Sequence, residues 1–221
     1  MYETTQVTYG EGTITVTMSS ESATEVAAPD IRFGSYDSAV RACFTAKELE
    51  AISDGQNAEV SFSFLMSDEI QDTGKLSLFE EAIERESGEL GTLHYGVFFD
   101  VDASKTVGDE EPEALDGFNE DVEMQYDVPL FLVTGDREYF IMTEEMGVCN
   151  LEQDVDIDAD TLTVSTHDIG TTLMLYQTRD ESLIPEKEQL HIRSQHLFAA
   201  GIIALVAVWL LIDRRYRKGR D

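Results

Sequence analysis

The sequence predicts a mainly β protein, an antiparallel β-sandwich-like domain with two short helices, followed by one C-terminal transmembrane helix. Three observations support this prediction. Several stretches alternate apolar and polar side chains with a period of two, which is typical of half-buried strands. Only two stretches show helical spacing, and both are short. The run "LFAAGIIALVAVWLLI" near the C-terminus contains no charged residue and is followed by a basic tail.

The clearest strands are "TITVTMS" (13–19) and "AEVSFSFLMS" (58–67), in which every second side chain is apolar. Further strands are predicted at 92–102, 122–132, 137–145, 147–152, 160–166 and 171–177. Pro129 has no N–H to donate, so it marks an edge strand or the end of a strand. We expect a turn at Met146–Gly147, and a meander formed by the last two strands.

The first helix is predicted in "TAKELEAISDG", where Thr45 and Glu48 have the spacing of a capping box and Gly55 ends the helix. The second is predicted in "LSLFEEAIERESG", whose apolar residues fall on one stripe and whose last residue, Gly88, would cap it.

Residues 1–178 are expected to form an extracellular β-rich domain, 179–195 a polar connector, 196–212 a transmembrane helix, and 213–221 a basic cytoplasmic tail. Leu197–Ile212 would contact the lipid bilayer. Five of the 15 basic side chains lie in the last nine residues, whereas 43 of the 45 acidic side chains precede them. The positive-inside rule therefore keeps the tail in the cytoplasm and the acidic domain outside the cell membrane.

Two alternatives remain for the apolar run, a buried core helix and a tail anchor that leaves the domain facing the cytoplasm. Export also requires a signal, and "MYETTQVTYGEGTITV" has neither a basic nor an apolar region of the required kind. We therefore expect the chain either to be the C-terminal part of a larger exported protein or to have lost its signal.

The acidic charge excludes nucleic acid as a partner, because binding phosphates requires clustered Lys and Arg. It favours a soluble, monomeric ectodomain whose extracellular partner the sequence does not identify. The only two cysteines, Cys43 and Cys149, are compatible either with one disulfide or with two small buried side chains.

Aspartates at alternate positions raise the question of calcium. The candidates are Asp100 and Asp102 in "DVDASKTVGDEE", and Asp154, Asp156 and Asp158 in "DVDIDADTLTV", where Asp160 continues the alternation. A calcium loop of the EF-hand type requires glycine at its sixth position, where these stretches have Lys105 and Ala159. We therefore predict a strand and a hairpin there, with no metal site and no cofactor site.

The sequence contains no recognisable set of catalytic residues. The four histidines, His94, His167, His191 and His196, lack the spacing of a zinc site. Glycoside hydrolases use a pair of carboxylates, but acidic residues are so frequent in this chain that such a pair is no evidence for that activity. The prediction is that the chain is not an enzyme and has no catalytic residues.

Five stretches resemble, in order, the membrane- or wall-proximal β-rich module of Gram-positive bacterial cell-surface proteins. They are "FTAKELEAISDGQNAEVSFSF", "LFEEAIERESGELGTLHYGVFFDVDASKTVGD", "VEMQYDVPLFL", "REYFIMTEE" and "DTLTVSTHDIGTTLMLYQ", which together cover about residues 40–177. The matching positions are Glu48, Leu49, Ala51 and Gly55; Lys105, Val107, Gly108 and Asp109; Asp127, Val128 and Pro129; and Thr172, Leu173, Leu175 and Tyr176.

This resemblance implies a non-enzymatic, membrane-anchored structural or spacer module at the C-terminal end of a bacterial surface protein. It brings no catalytic residues. Such proteins often end in a sortase motif, but "LIPEKEQ" (183–189) lacks the Thr-Gly pair that sortase cleaves, so a single-pass membrane anchor is expected instead. The alternative function is a ligand-binding adhesion or sensor ectodomain, in which calcium could assist.

Overall fold

The computed structural model describes residues 2–156, 158 and 160–178, which form eleven strands and three helices. The strands are β1 (Tyr2–Tyr9), β2 (Gly12–Ser22), β3 (Ile31–Phe33), β4 (Ala58–Ser67), β5 (His94–Val107), β6 (Glu113–Ala114), β7 (Gly117–Asp127), β8 (Arg137–Glu145), β9 (Val148–Gln153), β10 (Thr161–Asp168) and β11 (Thr171–Thr178). The helices are α1 (Tyr36–Cys43), α2 (Ala46–Ser53) and α3 (Thr73–Leu90). The prediction of a mainly β protein is confirmed.

The predicted connector, transmembrane helix and tail (179–221) lie outside the described residues. Within the part of the chain that the structure describes, no helix is long and apolar enough to cross a membrane.

The strands form one eight-stranded and one three-stranded sheet. The order in the large sheet is β1-β2-β4-β5-β11-β8-β9, with β6 added beside β5, and in the small sheet it is β10-β7-β3. The prediction of purely antiparallel pairing is wrong for one pair, because β2 and β4 are parallel. A parallel pair needs a long crossover, and here the chain passes through β3, α1 and α2 between the two strands.

The strands in the last third of the chain do not pair as predicted. The strands on either side of the stretch 154–164 do not pair with each other as in the predicted hairpin, since β9 pairs with β8 in the large sheet and β10 pairs with β7 in the small one, although the Val155 N–H donates to Thr163 O at 2.9 Å. Likewise β10 and β11 do not form a meander, because β11 lies between β5 and β8. The predicted β8–β9 turn at Met146–Gly147 is confirmed, and Pro129 follows the end of β7 as expected.

Two hydrophobic cores hold the domain together. The larger one lies between the two sheets and includes Val16, Phe62 and Phe99 from the large sheet and Val122 and Val164 from the small sheet. The second lies on the opposite face of the large sheet. There Phe79 and Ala82 of α3 pack with side chains that include Phe98, Phe140 and Leu173. The central strands β5, β11 and β8 are therefore covered on both faces.

The helices depart from the prediction in two respects. The sequence missed α1, which Ser35 caps by accepting a hydrogen bond from the Ser38 N–H. Gly88 does not end α3, which continues to Leu90 before Gly91, whose φ of 98° suits glycine. The capping box of α2 is confirmed, because the Thr45 hydroxyl accepts from the Glu48 N–H and the Glu48 carboxylate accepts from the Thr45 N–H at 2.6 Å.

Lys105 connects α2 to the large sheet from a position that is only 8% exposed. Its Nζ lies 2.9 Å from Glu48 Oε1 and 3.1 Å from Glu113 Oε1, and it faces the Phe44 ring. Burial lowers the pKa of Lys105, but the hydrogen bonds that its ammonium donates to both glutamates, together with their negative charges, outweigh burial and leave the pKa above its usual value. Because Glu48 also caps α2, the same carboxylate positions the helix and neutralises the buried ammonium.

Replacing Lys105 with alanine should therefore leave Glu48 without its counter-ion. We expect the free energy of unfolding to fall by about 2 kcal/mol, less than for a fully buried pair because Glu113 is exposed. That corresponds to a melting temperature about 4–8 °C lower. Thermal denaturation followed by circular dichroism measures it, with Lys47→Ala on the exposed face of α2 as the matched control. Equal melting temperatures for the two variants would contradict the proposed role of Lys105.

The two cysteines are free and buried in different cores, Cys43 in the larger and Cys149 in the smaller. Of the two sequence interpretations, the structure agrees with two small buried side chains. Burial raises the pKa of Cys43 to about 12 and also raises the pKa of Cys149, so both thiols are kept protonated.

Native protein should accordingly react slowly with a thiol reagent such as dithionitrobenzoate, and two thiols per chain should react at once after denaturation in guanidinium. A native chain that gives no titratable thiol even when denatured without reductant would contradict this result and indicate a disulfide.

Candidate functional site

Asp100 and Asp102 lie on strand β5 rather than in a metal-binding loop. Asp100 Oδ1 accepts a hydrogen bond from the Thr171 hydroxyl at 3.1 Å, and that hydroxyl in turn accepts from Lys75 Nζ at 2.6 Å. The carboxylate of Asp100 therefore belongs to a network that joins β5, β11 and α3. Asp102 stands opposite Ser63 on the exposed side of the sheet.

The second group of aspartates stabilises the connection from β9 to β10. Asp154 Oδ1 accepts from the Asp156 and Thr163 N–H groups, and Asp156 Oδ2 accepts from the hydroxyls of Thr161 and Thr163 at 3.1 and 2.6 Å. Asp158 is exposed and donates its N–H to Asp156. These oxygens are engaged with the protein's own donors.

No group of three or more His, Cys, Asp or Glu side chains among the described residues is arranged to hold a metal ion. The absence of a metal site from the whole chain therefore stays a prediction.

The candidate functional site is a cleft of about 620 Å³ at one end of the small sheet, which we call the β3–β7 cleft. Three chain segments line it: 26–30 before β3, 127–130 at the end of β7, and 160–161 at the start of β10. The backbone fixes their positions, because the Asp127 N–H donates to Asp30 O at 2.9 Å and the Val128 N–H donates to Asp160 O at 2.8 Å. Clefts of this volume are in the range that holds small ligands and peptide side chains.

The β3–β7 cleft combines acidic and apolar surface. Asp30, Asp127 and Asp160 line it together with one cation, Arg32. Arg32 is already engaged, since its Nε donates to Gln125 Oε1 at 2.7 Å and its Nη2 lies 3.4 Å from Asp127 Oδ1. Burial raises the pKa of Asp127, the nearby charges of Asp30 and Asp160 raise it further, and Arg32 only partly offsets them. The cleft thus has an excess of negative charge.

The rim of the cleft is apolar. Leu130 is 90% exposed and Val26 is 42% exposed, although both line the cleft. A leucine left almost entirely in water at the mouth of an acidic cleft is a surface that a partner could cover. The arrangement is suited to binding a ligand that carries positive charge beside apolar groups.

The sequence analysis identified only part of this site. The stretch Asp127-Val128-Pro129 was singled out by the family resemblance, and all three residues line the cleft. Asp30 and Asp160 were not singled out as a pair with Asp127. They come from distant parts of the chain. Asp160 belongs to the alternating aspartates of 154–160, but nothing in the sequence links it to Asp30 or to Asp127.

A second group of carboxyls lies where β8, β9 and β10 meet. Asp168 has a side chain only 3% exposed, and its Oδ2 accepts from Asn150 Nδ2 at 2.6 Å. Its Oδ1 is buried without a hydrogen-bond donor among the described residues, and His167 Nε2 is 3.4 Å away. Glu145 lies within hydrogen-bonding reach of Asp168.

Two carboxylates have no proton to donate to each other, so Glu145 and Asp168 can form a hydrogen bond only when one of the two carboxyls is protonated. Burial raises the pKa of Glu145, and its hydrogen bond with Asp168 and the charge of Asp168 raise it further. Burial also raises the pKa of Glu152, with the charges of Asp168 and Asp121 contributing, while His167 opposes the shift in both glutamates. These carboxyls are therefore protonated at a higher pH in the folded domain than in the unfolded chain.

This proton linkage predicts that the domain is more stable in mild acid. The stabilisation is complete below the ordinary glutamate pKa of about 4.3 and is lost as pH rises through the raised folded-state values. The melting temperature should therefore rise as pH falls from 7.5 toward 5. In the Glu145→Gln variant the amide donates to Asp168 at any pH, so we expect a melting temperature about 2 °C higher at pH 7.5 and a weaker pH dependence.

The matched control is Glu59→Gln, which removes one exposed charge from the large sheet far from this cluster along the chain. It should keep the pH dependence of the unmodified protein. A Glu145→Gln variant that is less stable at pH 7.5 and titrates like the control would show that no proton is shared with Asp168.

Comparison with known proteins gives no relative for this fold or site. No family model, no curated protein sequence and no solved structure matches the chain. The resemblance to Gram-positive surface modules consequently stays a prediction.

Proposed function

We propose that the chain is a non-enzymatic, membrane-anchored module of a bacterial surface protein, with its β-rich domain outside the cell and its basic tail in the cytoplasm. The observation that carries this proposal is the contrast between the apolar run Leu197–Ile212 with its basic tail and the strongly acidic sequence before it. An apolar segment of this kind is typical of a membrane span, and the charge asymmetry sets its orientation. In this role the domain would hold or space larger parts of an exported protein.

The architecture is compatible with a spacer. The central strands of the large sheet are covered on both faces, and Lys105 fastens α2 to the sheet. Such a domain resists local opening, because its central strands can separate only if both cores are disrupted. Rigidity of this kind is what a spacer needs to keep its cargo at a fixed distance from the membrane.

A second candidate function, a ligand-binding ectodomain, is favoured by the β3–β7 cleft. A spacer has no use for a cleft that exposes Leu130 and is lined by three aspartates. The two roles are compatible within one anchored protein, since the cleft occupies only one end of the small sheet.

Membrane insertion can be tested with the full chain exported behind a cleavable signal sequence in a Gram-positive host. It should remain in the membrane pellet after alkaline carbonate extraction. A Leu205→Asp, Val208→Asp variant should be released, because each aspartate near the centre of a span costs about 2.5–3.5 kcal/mol. The matched control, Leu205→Ile with Val208→Ile, should stay in the pellet.

Orientation is tested with single introduced cysteines, since the two native thiols are buried. On intact cells a membrane-impermeant maleimide should label the Ser61→Cys variant, which lies on an exposed sheet face, and should label Gly219→Cys in the tail only after lysis. Labelling of the tail but not of the domain on intact cells would refute the proposed topology, and carbonate release of the unmodified chain would refute membrane anchoring.

A further inference from the structure

We propose that the β3–β7 cleft binds an extended segment of a partner protein in which Lys or Arg alternates with apolar side chains. This inference rests on the binding role suggested above and specifies the chemistry of the ligand. It does not depend on whether the chain is anchored in a membrane.

The positive charge of the ligand follows from the charges in the cleft. Three aspartates and one arginine line the cleft, and the guanidinium of that arginine, Arg32, is held by Gln125 and Asp127. Asp30 and Asp160 are exposed. A cation placed between them would relieve the mutual repulsion of the three aspartates, whereas an anion would add to it. Recognition of carboxylates by a planar guanidinium or an ammonium is the interaction these groups favour.

The apolar part of the ligand follows from the rim. Leu130 and Val26 present apolar surface at the mouth of the cleft, and Ala27 and Ala28 also line it with small apolar groups. A simple hydrated cation such as a polyamine would leave this surface uncovered. Apolar side chains beside the cation would remove it from water and lower the local dielectric around the charged contacts.

The extended form of the ligand follows from the position of β3. This strand is the last in the order of the small sheet and pairs only with β7 among the described residues. Extended segments commonly bind by lying along such a sheet edge, where alternate side chains enter pockets. An alternating Lys/Arg and apolar pattern would direct the cations toward the aspartates and the apolar groups toward the rim.

The inference can be tested with the full chain in neutral detergent micelles, by isothermal titration calorimetry against three acetylated, amidated pentapeptides. The first has the sequence Leu-Arg-Val-Lys-Leu. In the second both cations are replaced by glutamine, and in the third the apolar residues are replaced by serine. We expect the first peptide to bind at least about 10-fold more tightly than either of the others. Equal binding of the first and third peptides would show that the apolar rim plays no part and would overturn the proposal.

Matched variants separate binding in the cleft from general attraction to an acidic protein. Asp30→Asn with Asp160→Asn should weaken binding of the first peptide about 10-fold or more, because it removes two of the charges that would contact it. Glu59→Gln with Glu120→Gln removes the same number of exposed charges elsewhere and should leave the affinity within about 2-fold. Equal weakening by both double variants would mean that only the diffuse charge of the protein attracts the peptide, and the cleft would be rejected as the site.

The rim is tested separately with Leu130→Ser, which should weaken binding several-fold, and with Met146→Ser, a similarly exposed apolar residue in the β8–β9 turn, which should not. Unchanged affinity in Leu130→Ser would also overturn the proposal. A chain that inserts in membranes but binds none of the peptides would reject this inference alone, whereas a chain that binds the first peptide but is not anchored would reject only the proposed membrane placement.

Discussion

Burial of the central strands on both faces is the constraint on which the rest of the structure depends. Along β5, Phe99 points into the core between the sheets while Phe98 points toward α3, and on β11 Met174 and Leu173 divide in the same way. Strands covered on both sides need continuous apolar runs, which "GVFF", "YFIM" and "TLML" supply. The small sheet covers one face of these strands and α3 covers the other. The β3–β7 cleft lies at one end of the small sheet.

Local sequence patterns predicted the positions of the strands and helices better than they predicted which strands pair. The alternation in β2 and β4 and the capping box at Thr45 depend on neighbours in the sequence, so the sequence alone predicted them. The parallel pairing of β2 with β4 depends on the path of the chain through α1 and α2. No short stretch of the sequence predicts that path. The helix α1 was missed although it is as long as α2, because its N-cap Ser35 is followed three residues later by Ser38 and not by the Glu or Gln of a capping box.

The aspartates likewise show that a local sequence pattern does not reveal which side chains the fold brings together. A repeat such as Asp154, Asp156 and Asp158 is conspicuous in the sequence, yet the first two serve as acceptors for nearby backbone and hydroxyl groups. The sequence does not show that the carboxylates of the cleft belong together, because Asp30 and Asp160 become neighbours of Asp127 only when segment 26–30 and the start of β10 reach the end of β7. In a chain with 45 acidic side chains, position in the fold and not frequency in the sequence gives a carboxylate its role.

The strong negative charge also determines what kind of recognition this domain can achieve. A field spread over the whole surface attracts any cation, and salt screens it within about 10 Å, so charge alone confers little selectivity. Selectivity requires a place where charge and apolar surface are brought together and water is displaced when the partner binds. Among the described residues the β3–β7 cleft brings the two kinds of surface together, since Leu130 and Val26 line it along with three aspartates. An acidic domain that binds by this means can ignore most cations in its surroundings and still retain a partner whose charges and apolar groups alternate at the spacing of an extended chain.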